Sequence, residues 1–162
     1  KRKNFVARLF VAAVLVCSAT AGTAAHAAPE PLTVVYWSAT DCRWCTWWEG
    51  TILGSGGEAK FLKSAEGKAV RYIVVKKPTL AAPFTERDFA ADQKWLWPRV
   101  KNETDGKIRG FPSFSLYEGE KFVAYALGEP DVEGKLLPAI RARMKRGWIR
   151  HRVVGAASAA LT

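Results

Sequence analysis

An apolar, β-branched run, LTVVYWS at residues 32–38, leads directly into ATDCRWCTWW, which holds Cys42 and Cys45. A short run of this kind reads as a buried strand. Behind Cys42 the period changes: Cys45, Trp48 and Ile52 fall on one face of a helix, which the GSGG of residues 54–57 should end. The two cysteines therefore mark a strand-to-helix junction. A bridge across two intervening residues closes almost no loop and constrains the unfolded chain very little. A purely structural role is a poor account of such a pair.

The first residues are not part of a core. KRKNFVAR is a basic head, LFVAAVLVC an apolar middle and AHAA a small-residue end. Together they read as a secretory signal over residues 1–27, cleaved after Ala27. The apolar run at residues 9–17 is short against the roughly 20 residues of a membrane span, which argues against a retained anchor. Bulky Val16 argues against lipid attachment at Cys17. Cleavage removes Lys1, Arg2, Lys3 and Arg8, so the formal charge falls from +10 to +6, and Cys42, Cys45 and His151 are the cysteines and histidine left. An exported chain meets an oxidising compartment, here a bacterial periplasm, where disulfides persist. The 162 residues suffice for one domain and hardly for two.

After the first helix, EAKFLKSA adds a helical turn or two, and AVRYIVV at residues 69–75 is a second strand. Thr85 offers an N-cap followed by acids, so a helix is expected to run from there through FAADQKWLW and stop near Pro98. KNETDGKIRG is a polar connector. Residues 113–119 and 121–128 form two strands around a tight turn at Glu118-Gly119-Glu120. A last helix carries Val132, Leu136, Ile140 and Met144 inward, and Pro138 should kink it or delay its start past Asp131. The order β-α-β-α-β-β-α makes an α/β fold, a mixed four-stranded sheet with helices packed on it. The domain spans residues 28–147. Residues 148–162 form a basic tail that becomes rich in small residues, expected to be disordered. Its charge suits a solvated helix end or weak contact with anionic lipid headgroups; export excludes nucleic acid as a partner.

A thiolate at a helix N-terminus meets unpaired N–H groups and the positive end of the helix dipole, both of which favour the reactive form. Cys42 is thus the candidate attacking thiol, and Cys45, one turn deeper, the candidate resolving thiol. Arg43 lowers the pKa of Cys42 and Asp41 raises it, with the net sign open. A zinc site needs two further ligands, which a monomer of the cleaved chain does not offer. Covalent haem attachment needs a histidine where Thr46 stands.

With VVYWSATDCRWC as a strand running into C-x-x-C, and GFPSFSLYEGEK downstream, the chain resembles the thioredoxin superfamily, particularly its secreted bacterial members, over residues 32–146. The resemblance implies a thioredoxin-like three-layer fold with helices on both faces of the sheet. It implies that Pro112 is a cis-proline beside the dithiol and that the backbone of Phe111 pairs with an extended substrate segment. The chain departs from the family at three points. Asp41 precedes Cys42, Arg43 and Trp44 separate the cysteines, and the position of the family's buried acid, six residues before the first cysteine, falls on Tyr36. Asp41 is expected to cap the helix or oppose Arg43.

Trp44 should lie at the surface beside the sulfurs and touch substrate. Trp37, Trp47 and Trp48 are read as packing, and Trp95 and Trp97 as helix packing. Together these features predict a monomeric, exported thiol–disulfide oxidoreductase. It uses no metal or organic cofactor, acts on protein thiols and disulfides, and exchanges electrons with a redox partner, expected to be membrane-borne. The competing expectation is a binding module of an envelope or secretion apparatus whose disulfide is passive.

Overall fold

The computed structural model describes residues 30–51, 54 and 56–146. The expected leader, Ile52 and the tail at 148–162 lie outside these residues. Strand β1 (Leu32–Ala39) runs into helix α1 (Arg43–Glu49), followed by α2 (Gly57–Lys63), α3 (Ala65–Lys68) and β2 (Arg71–Lys77). Helix α4 (Leu96–Lys101), β3 (Ser113–Glu118), β4 (Lys121–Leu127) and α5 (Gly128–Asp131) come next, and a last helix, α6, occupies 137–146.

The sheet has the order β2-β1-β3-β4. β1 pairs with β2 in parallel and with β3 antiparallel, and β3 pairs antiparallel with β4. β1 is central and buried from Thr33 to Ala39. Its alternating side chains serve two cores. Val34 and Tyr36 join Trp48 of α1, Phe61 of α2, Phe114 and Leu116 of β3, and Val132, Leu136 and Ile140, with Met144 packed against them. Val35 and Trp37 join Ile73, Val75, Phe89, Leu96 and Tyr117 on the opposite face. Helices thus cover both faces, and the expected three layers are present.

The strands and the hairpin lie close to where the sequence puts them, with β2 displaced two residues later than 69–75, and Gly119 takes a positive φ of 58° at the first position of the tight turn, where glycine fits best. Three helical expectations need correction. First, α1 ends at Gly50 rather than near residues 54–57: Gly50 is left-handed, with φ 69°, and its N–H bonds the carbonyl of Trp47.

Second, no continuous helix runs from Thr85 to Pro98. Short 3₁₀ turns at Glu86–Asp88 and Ala91–Gln93 precede α4, and Pro98 sits inside the first turn of α4 instead of ending a helix. A first-turn N–H has no partner within the helix, so proline loses nothing there. Thr85 does initiate a turn: its N–H and hydroxyl both donate to the Asp88 carboxylate, at 2.6 and 3.1 Å.

Third, the last helical segment begins at Gly128, ahead of Asp131. A π-turn at Val132–Leu136, closed by the Leu137 N–H on the Val132 carbonyl, precedes Pro138. The wider turn passes the position where proline removes an N–H and crowds the preceding turn.

Candidate active site

Cys42 is the N-cap of α1, with extended backbone (φ −86°, ψ 104°). Cys42 and Cys45 are bridged, with Cα atoms 5.2 Å apart. The Cys45 N–H donates to Cys42 Sγ at 3.1 Å. A hydrogen bond of this kind favours a thiolate on Cys42 once the bridge is reduced. Cys42 is 2 % exposed and Cys45 0 %, so both halves of the bridge are buried.

The Phe111–Pro112 peptide bond is cis, as expected. Pro112 is buried, and its carbonyl accepts from the Gly128 N–H at 2.9 Å. No hydrogen bond among the described residues uses the N–H or C=O of Phe111. A groove of about 460 Å³ is lined by Trp44, Trp47, Trp48, Phe111, Pro112 and Leu127, together with Glu129 and its neighbours. Trp44 is 64 % exposed, as its position between the cysteines implies. Trp47, expected to pack, is 44 % exposed and lines the groove. It lies two residues past Cys45, off the helix face that Cys45 and Trp48 bury. Trp48 is core, meeting Phe114 edge-on at 4.9 Å. Trp37 is core on the other face, its indole N–H donating to Ser115 Oγ at 2.9 Å. Trp95 meets the Tyr117 ring edge-on at 5.1 Å, and Trp97 approaches Phe89 at 5.8 Å.

Asp41 neither caps α1 nor pairs with Arg43. Its carboxylate accepts from the Thr79 hydroxyl at 2.5 Å and the Leu80 N–H at 2.7 Å, tying the turn before the dithiol to the loop after β2. The Thr79 hydrogen bond, with a smaller contribution from the Leu80 N–H, holds the Asp41 carboxyl below its usual range and outweighs the opposing effect of desolvation. The cap position is filled by Cys42 itself. Arg43 is exposed and makes no ion pair among the described residues. At the end of β2, buried Lys77 donates to the carbonyls of Leu80 at 3.0 Å and Ala82 at 2.5 Å on that loop, with its ammonium 4.8 Å from the Phe111 ring centre. Burial pushes the Lys77 pKa down.

Glu49 is a site residue that the sequence alone does not single out. It stands one helical turn after Cys45, and its Oε1 accepts from the Tyr36 hydroxyl at 3.0 Å and from Ser38 Oγ at 3.2 Å. Lys76 Nζ lies 2.8 Å from the same oxygen, and the Glu49 side chain is only 12 % exposed. The Tyr36 hydroxyl also reaches toward the Cys45 carbonyl, at 3.5 Å. Burial pushes the Tyr36 phenol well above its usual range. Burial likewise raises the nearby Glu58 carboxyl; Glu49 adds to this, while a Tyr72 hydrogen bond and Lys76 oppose it. The available signal is spacing. Glu49 lies four residues after Cys45, hence on the same helix face, and Tyr36 is an unusual phenol for a fully buried central strand.

The sheet order, the dithiol at the β1–α1 junction and the cis-Pro112 just ahead of β3 make this a thioredoxin-fold protein, in keeping with the superfamily that its motifs resemble. No family model matches the chain, and no curated protein matches it. Solved structures are similar to parts of this chain. A DsbH oxidoreductase is 19% identical, with 69% of this chain and 74% of that one covered, at a TM-score of 0.44. Thioredoxin from Trypanosoma brucei brucei is 17% identical, covering 73% and 79%, with a TM-score of 0.44. The periplasmic thioredoxin SoxS from Paracoccus pantotrophus is 16% identical, covering 71% and 98%, with a TM-score of 0.39.

Proposed function

We propose that the protein is an exported thiol–disulfide oxidoreductase, acting on protein substrates in the periplasm through Cys42 and Cys45. The observation that carries this reading is the bridge itself, placed at the N-cap of a helix, with Trp44 between its cysteines lining the same groove as the cis-proline. Export rests on the pattern of residues 1–27.

In the reducing direction, the Cys42 thiolate attacks one sulfur of a substrate disulfide. The substrate's S–S bond breaks, one substrate sulfur leaves as a thiolate, and a mixed disulfide forms on Cys42. Cys45 then loses its proton, and its thiolate attacks Cys42 Sγ. The Cys42–Cys45 bond forms, and the second substrate sulfur leaves and is protonated. Two electrons pass from the dithiol to the substrate. The oxidised protein runs the same steps in reverse, and a redox partner resets it. No metal or organic cofactor enters the cycle.

Glu49 takes the role of proton acceptor for Cys45. It is the half-buried carboxylate one turn away on the same helix, where Cβ atoms stand about 5–6 Å apart, and Lys76 balances its charge. Phe111 offers unpaired backbone groups for an extended substrate segment to join, Pro112 holds that loop against the dithiol, and Trp44 supplies apolar contact. Arg43, exposed next to Cys42 in the chain, adds a positive charge on the dithiol's side of the helix. Asp41 acts by fixing the neighbouring loop.

The test is a pair of variants mixed with disulfide-bearing substrate. Cys45→Ser should accumulate disulfide-linked adducts, because nothing resolves them; Cys42→Ser should not. Equal trapping by both would remove the assignment of roles. A second reading is favoured by the 2 % and 0 % exposure of the cysteines. In it, the groove binds a partner while the disulfide stays inert, and insulin reduction would then show no turnover.

A further inference from the structure

The tryptophan-lined groove carries one polar feature that the redox cycle leaves unused. Glu129, at the start of α5, lines the groove along with Trp44, Trp47 and Leu127. It is half-buried, its Oε1 lies against Gly57 at the start of α2, and its carboxylate forms no ion pair among the described residues. A charge set in apolar surroundings without a counter-ion is unfavourable unless a partner supplies one. Its place in the first turn of α5 eases this only in part.

Beyond Trp48 the groove continues into a smaller depression of about 130 Å³, floored by Phe61 and Leu137. Glu129, Glu133 and Lys60 line that depression, leaving one net negative charge. The groove is therefore apolar around Trp44 and Trp47, and the depression that adjoins it at Trp48 and Glu129 is acidic. Trp44, Trp47 and Leu127 are 64, 44 and 42 % exposed, a large apolar area for side chains around one depression.

We propose that this groove selects substrate segments that are extended and apolar around their cysteine and carry a lysine or arginine placed to meet Glu129. The inference rests on reading the dithiol face as the substrate face. An indole surface accepts apolar side chains of many shapes, so it discriminates little between them. A buried-edge carboxylate discriminates by sign: a cation gains an ion pair at a partly dehydrated site, and an acid meets like charge. Glu129 thus sets specificity, where the tryptophans set affinity.

The test uses fluorescein-labelled apolar peptides in which serine replaces the cysteine, so that binding to the full oxidised chain is read by anisotropy without any thiol exchange. Lysine, glutamine or glutamate is placed in turn at each of several positions on either side of the serine. At one position the lysine peptide should bind at least about fivefold more tightly than the glutamate peptide at low salt. The difference should shrink as the screening length falls from about 10 Å at 0.1 M to about 3 Å at 1 M salt. Glu129→Gln should abolish the preference and Glu129→Lys should reverse it. Equal binding of lysine and glutamate peptides at every position, a preference that survives Glu129→Gln, or no binding of any peptide would each overturn the proposal. Because these peptides hold no sulfur, a failure of the redox reading would appear separately, in the trapping of adducts by Cys45→Ser.

Discussion

The hydroxyl of Tyr36 donates to the carboxylate of Glu49 across 3.0 Å, joining the central strand to the helix that carries the dithiol. Ser38 and Lys76 complete the carboxylate's surroundings, so β1, β2 and α1 meet at one oxygen. A half-buried acid on the helix therefore stands one turn after Cys45, and strand residues hold it there.

Replacing Glu49 with Gln keeps an acceptor for Tyr36 and Ser38 but removes the base. Resolution of the mixed disulfide by Cys45 should slow by at least about tenfold at pH 7, the low side of what general-base removal costs. The first attack by Cys42 should be preserved. Quenched-flow analysis of adduct formation and decay separates the two steps. The deficit should narrow as pH rises and Cys45 ionises without help.

Tyr36→Phe tests the structural side of the same contact. The ring keeps its stacking on Phe114, at 5.3 Å, and loses only the hydroxyl. Removing one partner from a hydrogen bond to a charged group should cost about 1.5–3 kcal/mol, read from urea unfolding.

Trp44 and Trp48 should separate binding from folding. Trp48→Ala empties a core site and should destabilise the domain by about 3–5 kcal/mol. Trp44→Ala, at an exposed position, should change stability within about 0.5 kcal/mol and weaken apolar substrate binding. Chemical denaturation and peptide titration on both variants check this.

Asp41 should shape the acid limb of stability. Its folded pKa lies below the ordinary 3.8. The stabilisation it contributes is therefore fully present above that value and is lost as pH falls through the folded pKa. Asp41→Asn should flatten the dependence of unfolding free energy on pH below about 4 and leave the alkaline side unchanged. Unfolding curves at a series of pH values read this directly.

The strands and the dithiol junction are legible in the sequence because each depends on a local pattern: β-branched runs for β1 and β2, a glycine turn for the hairpin, and the spacing of Cys42 and Cys45. The region from Thr85 to Lys101 is not, because Pro98 is compatible both with a helix end and with a first turn, and tertiary packing of Phe89 and Leu96 decides between them. Asp41 resembles a cap when only its sequence neighbours are considered; its partners Thr79 and Leu80 come beside it only through the fold. Glu49 reads as one more charge on a short helix. It becomes part of the site through the phenol and the ammonium that β1 and β2 bring to it from distant parts of the chain. Trp47 reads as packing because an aromatic beside a core face usually packs; its exposure comes from the groove that the Pro112 loop and α5 build opposite it.

Exchange of the Cys42–Cys45 bridge with other thiols underlies the oxidoreductase reading of this protein. Equilibrating the protein with glutathione buffers, quenching with a maleimide and counting free thiols gives the potential of the pair. A working oxidoreductase should fall among disulfide catalysts, between about −270 and −120 mV. A potential below about −300 mV, that of an inert structural bridge, would refute the assignment.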